Sequence, residues 1–207
     1  MGVRSYTPVG DYGKLLVICY GPFMESMKPY VNWKNAIGYP TKLIDVATIG
    51  STASAIKNYI TGYYNTNGLA FVLLVGDGPQ IPTNQGADVG GPSDNAYGYL
   101  VGNDHYADVF VGRFSAENVA QVQTQVSRTM TYEKTPQFIT DDWYKTVLGI
   151  GSDQGPGDDN ELDYEHVRNQ QTQLLAYTYS VNPELFDGSQ GGNDAAGNPT
   201  PQWFQQK

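Results

Sequence analysis

Three short runs constrain this chain more than any other feature: residues 15–19 (LLVIC), 42–46 (KLIDV) and 70–75 (AFVLLV). The first and third are apolar throughout, the pattern of a strand covered on both faces. Segments of helical period separate them. Phe23, Met27, Tyr30, Val31 and Ile37 recur at near-helical spacing after Pro22, and Gly38 is a stop signal. Residues 52–64 place Ala53, Ile56, Ile60 and Tyr64 on one side, with Ser51 or Thr52 as the cap. Strand, helix, strand, helix, strand predicts an α/β fold. Its sheet should be parallel with flanking helices, because parallel neighbours need crossover connections.

The third run ends in Gly76-Asp77-Gly78. In open α/β sheets ligands gather outside the carboxyl ends of the strands, which makes Asp77 a candidate site residue. A turn or cap role is the alternative. A long Gly/Pro/Asn-rich loop follows over residues 79–92, and loops of that length are usually functional or disordered.

The densest stretch is residues 100–115, LVGNDHYADVFVGRFS. Residues 97–101 and 109–111 read as the arms of a β-hairpin. In an extended segment alternate side chains share a face, so Asp104 and Asp108 fall together with the Tyr106 carbonyl between them. Hard oxygens in such a set suit calcium, which takes about six to eight of them. A solvated polar loop with two acids explains the same spacing, since Asp and Asn are common in turns for local reasons. The residues alone leave both readings open.

Residues 117–132 read as a helix, with Val119, Val122, Val126 and Met130 as its buried stripe and Ser115 as a possible cap. Residues 135–142 mark a boundary. Residues 145–150 (KTVLGI) form a fourth buried run, followed by a glycine- and acid-rich loop at 151–159. Residues 160–176 read as a helix carrying Glu161, Asp163 and Glu165 in its first turns, where acids suit the helix dipole. A weak strand is expected near 179–185. Thr200 and Pro201 form a helix-start signal with too few residues after it for a stable helix. The sequence is therefore expected to be a piece of a larger protein.

Composition narrows the function classes. The formal charge of −9 argues against nucleic acid, since no basic patch is present to release counterions, and it is compatible with bound divalent cations. The single Cys19 excludes an internal disulfide. No apolar run reaches transmembrane length. Sixteen Tyr and abundant Gly suit a secreted or cell-surface protein. Any export signal would lie outside this sequence.

Several runs together resemble the gingipain-type cysteine endopeptidases of peptidase family C25, especially the arginine-specific members. They are Tyr6-Thr7-Pro8-Val9, Val31-Asn32-Trp33-Lys34-Asn35, and Val72-Leu73-Leu74-Val75-Gly76-Asp77 with Ile81-Pro82. Val101-Gly102-Asn103-Asp104-His105-Tyr106, Val111-Gly112-Arg113-Phe114-Ser115, Tyr132-Glu133 and the Asp163/His166 pair complete them. The resemblance implies a caspase-like α/β fold. Residues 1–137 would form an N-terminal subdomain and residues 138–207 the beginning of the catalytic subdomain. It implies protein or peptide substrates in the whole enzyme.

The resemblance also implies calcium on the side chains of Asp77, Asp104 and Asp108 and the backbone oxygens of Val101 and Tyr106. It makes Asp163 the substrate-binding carboxylate for an arginine side chain. Glu161 and His166 would serve a second cation or shape that pocket. The family's His–Cys dyad lies in a His-Gly and an Ala-Cys type motif. His105 is followed by Tyr106 and His166 by Val167, while Cys19 lies inside an apolar run. No catalytic residue is therefore expected in this chain, which should be inactive alone. Two function classes follow: part of a secreted cysteine endopeptidase cleaving after Arg, or a non-catalytic calcium-bound module of a cell-surface or adhesion protein.

Overall fold

The computed structural model describes residues 13–85, 91–102, 104, 106–135, 144–157, 159–180 and 182–186. Expectations placed on residues 6–9, on Asn103 and His105, and on the helix start at Thr200 lie outside them. The chain divides into two compact units, Met1–Thr135 and Pro136–Lys207.

In the first unit β1 (Lys14–Cys19), β2 (Thr41–Asp45) and β3 (Leu69–Val75) alternate with α1 (Met24–Ala36) and α2 (Ala53–Asn67). With β6 (Phe110–Phe114), the sheet order is β2-β1-β3-β6, with every neighbour parallel. β1 is central, which is why Leu15 to Cys19 are all buried. Its side chains alternate between two apolar layers. Leu15, Val17 and Cys19 pack with Met27 and Tyr30 of α1 and with Val122 and Val126 of α3 (Val119–Lys134). Leu16 and Ile18 pack with Ile56 and Ile60 of α2. Period-2 strands between period-3.6 helices give this layering directly.

α2 starts where the sequence places it. The Thr52 hydroxyl accepts the Ala55 N–H at 3.2 Å, and Gly68 ends the helix at φ 67°. The cap of α3 differs from expectation. Asn118 takes that position, its side chain accepting the Gln121 N–H at 3.1 Å. Ser115 instead donates its hydroxyl to Asp77 Oδ1 at 3.0 Å.

The hairpin also differs. Among the described residues the antiparallel pair in this unit is β4 (Asn84–Gln85) with β5 (Pro92–Ser93). The run expected as the second hairpin arm is part of β6 (Phe110–Phe114), which pairs in parallel with β3, Phe71 opposite Phe110 and Val75 opposite Phe114. Residues Asn95–Tyr97 wind into a 3-10 turn rather than an arm. Burial decides this. Tyr97 and Val109 enter the α2-side core with Val111 packed against it, while the largely exposed Phe110 stacks on Phe71 with ring centroids 5.6 Å apart. A local hairpin would leave Tyr97, Val109 and Val111 in water.

In the second unit β7 (Gly149–Gly151) pairs in parallel with β8 (Glu184–Phe186), and α4 (Asp163–Leu175) packs on β7. The apolar run at 145–150 thus reaches the ladder only at its end. α4 is tied to β8 by Arg168, whose Nε and Nη2 donate to Glu184 Oε1 and Oε2 at 2.9 and 2.8 Å.

Candidate functional site

In the first unit Asp77 stands at the carboxyl end of β3, whereas Asp108 lies two residues before β6, whose first residue Phe110 pairs with Phe71 near the amino end of β3. The Asp77 backbone N–H donates to the Ala116 carbonyl at 3.1 Å, which fixes the residue just past the strand. The exposed Asp108 accepts the N–H groups of Leu100 and Val101 on Oδ2, at 2.6 and 2.8 Å. These bonds, Val101 first, hold its carboxyl below the usual range, and the Lys57 ammonium adds to them. Asp104 Oδ1 accepts the Tyr106 N–H at 3.0 Å, a local Asx-type bond. Lys57 of α2 donates to the carbonyls of Ala96 and Tyr99, so a tethered cation already sits among the oxygens of this loop.

The carboxylates of Asp77, Asp104 and Asp108 do not form a group with ligand atoms mutually within 4.8 Å. Among the described residues, Asp159, Glu161 and His166 do. That cluster belongs to the second unit. His166 Nδ1 lies 2.8 Å from Asp159 Oδ2 and 3.2 Å from Glu161 Oε2, and its Nε2 lies 2.6 Å from Gln170 Nε2. The Glu161 N–H, at 3.0 Å, is the main cause that holds the Asp159 carboxyl low, and the neighbouring imidazole adds to it. Two carboxylates and an imidazole make a mixed oxygen and nitrogen donor set. Such a set suits zinc-type cations better than calcium, which favours oxygen alone.

Glu161 and His166 were legible as a candidate pair from the sequence. Asp159 was not. Its signal is weak: an acid two residues before Glu161 in a loop rich in turn formers. Only the loop's closure onto α4 brings it to the imidazole.

Asp163 is the first residue of α4, at the carboxyl end of β7. Asp163 lines a cleft of ≈ 480 Å³ together with Ile150, Gly151, Ser152, Gly157, Asp159, Glu161, His166 and Val167. Its Oδ2 accepts the Ser152 hydroxyl at 2.6 Å. The approach of strand end to helix start requires Gly151, because a Cβ there would stand 2.8 Å from Tyr164 Cα. Three carboxylates around one cleft give a negative potential that draws a cationic group.

The only cysteine, Cys19, belongs to the apolar core. It is fully buried in β1, and burial, reinforced by the Asp45 charge, pushes its thiol up to about 12.

The family model for peptidase family C25 matches residues 10–202. The chain belongs to peptidase family C25. Gingipain R2 of Porphyromonas gingivalis is 38% identical over 191 residues, covering 88% of this chain and 25% of that protein. Lys-gingipain of the same organism is 29% identical over 160 residues, covering 72% of this chain and 9% of that protein. The crystal structure of the Arg-specific cysteine proteinase gingipain R superposes with a TM-score of 0.76 at 36% identity, covering 88% of this chain and 44% of that one. The C25 chain described here thus spans about a quarter of the curated relative and under half of the solved one. The parallel sheet with flanking helices is the fold it shares with gingipain R.

Proposed function

We propose that this chain is part of a secreted or cell-surface cysteine endopeptidase that cleaves after arginine, and that Asp163 receives the arginine side chain. The observation that carries this reading is the place of Asp163, at the head of α4 in a cleft lined by two further carboxylates. A carboxylate there offers two coplanar acceptors to a guanidinium, a pairing that a point-like ammonium matches less well. Similarity to gingipain R supports the same assignment.

The test uses the full-length protein encoded by the gene, with peptide reporters carrying Arg or Lys before the cleaved bond. Asp163→Asn should lower kcat/KM on the Arg reporter by about a hundredfold, the scale of a lost charge-assisted bidentate contact. Unchanged turnover would remove the assignment. Residues 1–207 alone should give background rates under reducing conditions, because the one thiol present is buried and held in its neutral form.

Calcium is part of the same proposal. Asp77, Asp104 and Asp108, with the carbonyls of Val101 and Tyr106, would supply the oxygens. A second cation on Glu161 and His166 would take Asp159 as a further ligand. The resemblance to the C25 peptidases supports the first site, and the convergence of three donor groups supports the second.

A further inference from the structure

Ser152 follows β7 directly and is half-buried beside the cleft. It meets the first turn of α4 and its own loop through three bonds. Its carbonyl accepts the Tyr164 N–H at 3.0 Å. Its hydroxyl oxygen accepts the Gln154 N–H at 3.1 Å. Its hydroxyl hydrogen goes to Asp163 Oδ2 at 2.6 Å. The Asp163 N–H in turn donates to the Gln154 carbonyl at 3.0 Å, which pins the backbone on the other side.

We infer that Ser152 is a positioning residue that sets the plane of the Asp163 carboxylate and thereby the preference for arginine over lysine. This rests on the reading of Asp163 as the arginine acceptor. A hydroxyl has one hydrogen to give. With the Gln154 N–H fixing the orientation of the oxygen, that hydrogen is aimed at Oδ2. The bond is charge-assisted and short, so it holds the aspartate in one rotamer. The bonded oxygen keeps acceptor capacity, and both oxygens stay available in one plane. A guanidinium needs that plane for its two parallel bonds, whereas an ammonium does not. Losing Ser152 should therefore cost arginine recognition more than lysine recognition.

The experiment compares wild type, Ser152→Ala, Ser152→Thr and Asp163→Asn in the full-length protein, by steady-state kinetics on Arg and Lys reporters and by thermal melting. Ser152→Ala should raise KM on the Arg reporter about tenfold, the scale of one hydrogen bond to a charged group. Its kcat should stay within about twofold and its Lys kinetics should barely move. Ser152→Thr, which keeps the hydroxyl, should recover the wild-type KM. A Ser152→Ala protein with unchanged Arg KM, beside an Asp163→Asn protein that has lost the reporter, overturns the inference and leaves the Asp163 assignment standing. Equal losses on both reporters with a lowered melting temperature also overturn it, since they describe a fold defect. An Asp163→Asn protein that matches wild type on the Arg reporter removes the assignment and this inference together.

Discussion

Arg113 grips Asp94 with two parallel hydrogen bonds of 2.7 Å each, Nε to Oδ2 and Nη2 to Oδ1. Its Nη1 also reaches the carbonyls of Gly76 and Ile81 at 2.7 and 2.9 Å. One side chain of β6 thus ties the end of β3, the start of the following loop and the return of that loop to the sheet. The pair is largely buried, with side-chain exposures of 11% and 23%.

Arg113→Met should therefore destabilise the first unit by about 3 kcal/mol, because it strands a carboxylate and two carbonyls away from water. Arg113→Lys should recover little of this, since one ammonium cannot reproduce the fork. Urea unfolding followed by tyrosine and tryptophan fluorescence measures both. A loss below about 0.5 kcal/mol, typical of an exposed pair, would contradict the clamp.

Calcium should raise the melting temperature of this chain by binding the native state alone. Magnesium should do so less, because it dehydrates reluctantly and demands tighter geometry. Asp104→Ala should abolish the difference between the two ions while barely destabilising the apo protein, since the exposed Asp104 makes only a local bond to the Tyr106 N–H. Melting that is unchanged by a chelator and by added calcium would return the loop to a solvated one held by its own N–H groups.

Cys19 should resist alkylation in the folded protein. Burial pushes its thiol up to about 12 from an ordinary value of 9.0, so labelling by iodoacetamide at pH 8 should track unfolding rather than thiolate fraction. Cys19→Ala should leave peptide turnover by the full-length protein unchanged and cost stability, about 1 kcal/mol, for the emptied core volume. Rapid labelling of the native protein, or loss of turnover in the variant, would show a reactive thiol.

Gly151→Ala should destabilise the second unit by about 1–3 kcal/mol, the range for forcing an atom into packed structure. The added Cβ meets backbone, Tyr164 Cα at 2.8 Å and its N at 3.0 Å, and backbone cannot rotate away as a side chain can. Hydrogen exchange should show the loss in α4 and β7 first. A variant as protected as wild type would mean that strand and helix stand further apart.

The sequence by itself determined the kind of fold. Unbroken apolar runs can be satisfied only by cover on both faces, and the intervening helical periods supply that cover. It also determined the family, through residues such as Arg113, Asp163 and His166 in their local runs, and it showed Asp163 at a helix start after an apolar run. All of these are properties of neighbours along the chain. The tertiary structure decided what depends on distant segments. Residues 109–111 could have been one arm of a local hairpin, and only pairing with β3 and contact with the α2-side core bring Phe110 and Val111 into the fourth sheet strand. Ser115 could have capped α3, but β3 brings Asp77 within reach of its hydroxyl while Asn118 takes the cap. The acids behave likewise. Spacing grouped Asp104 with Asp108, whereas loop closure onto α4 gathered Asp159, Glu161 and His166. Periodicity reports which face a side chain takes. Distances between loops follow from how the layers beneath them pack, and no local pattern carries that information.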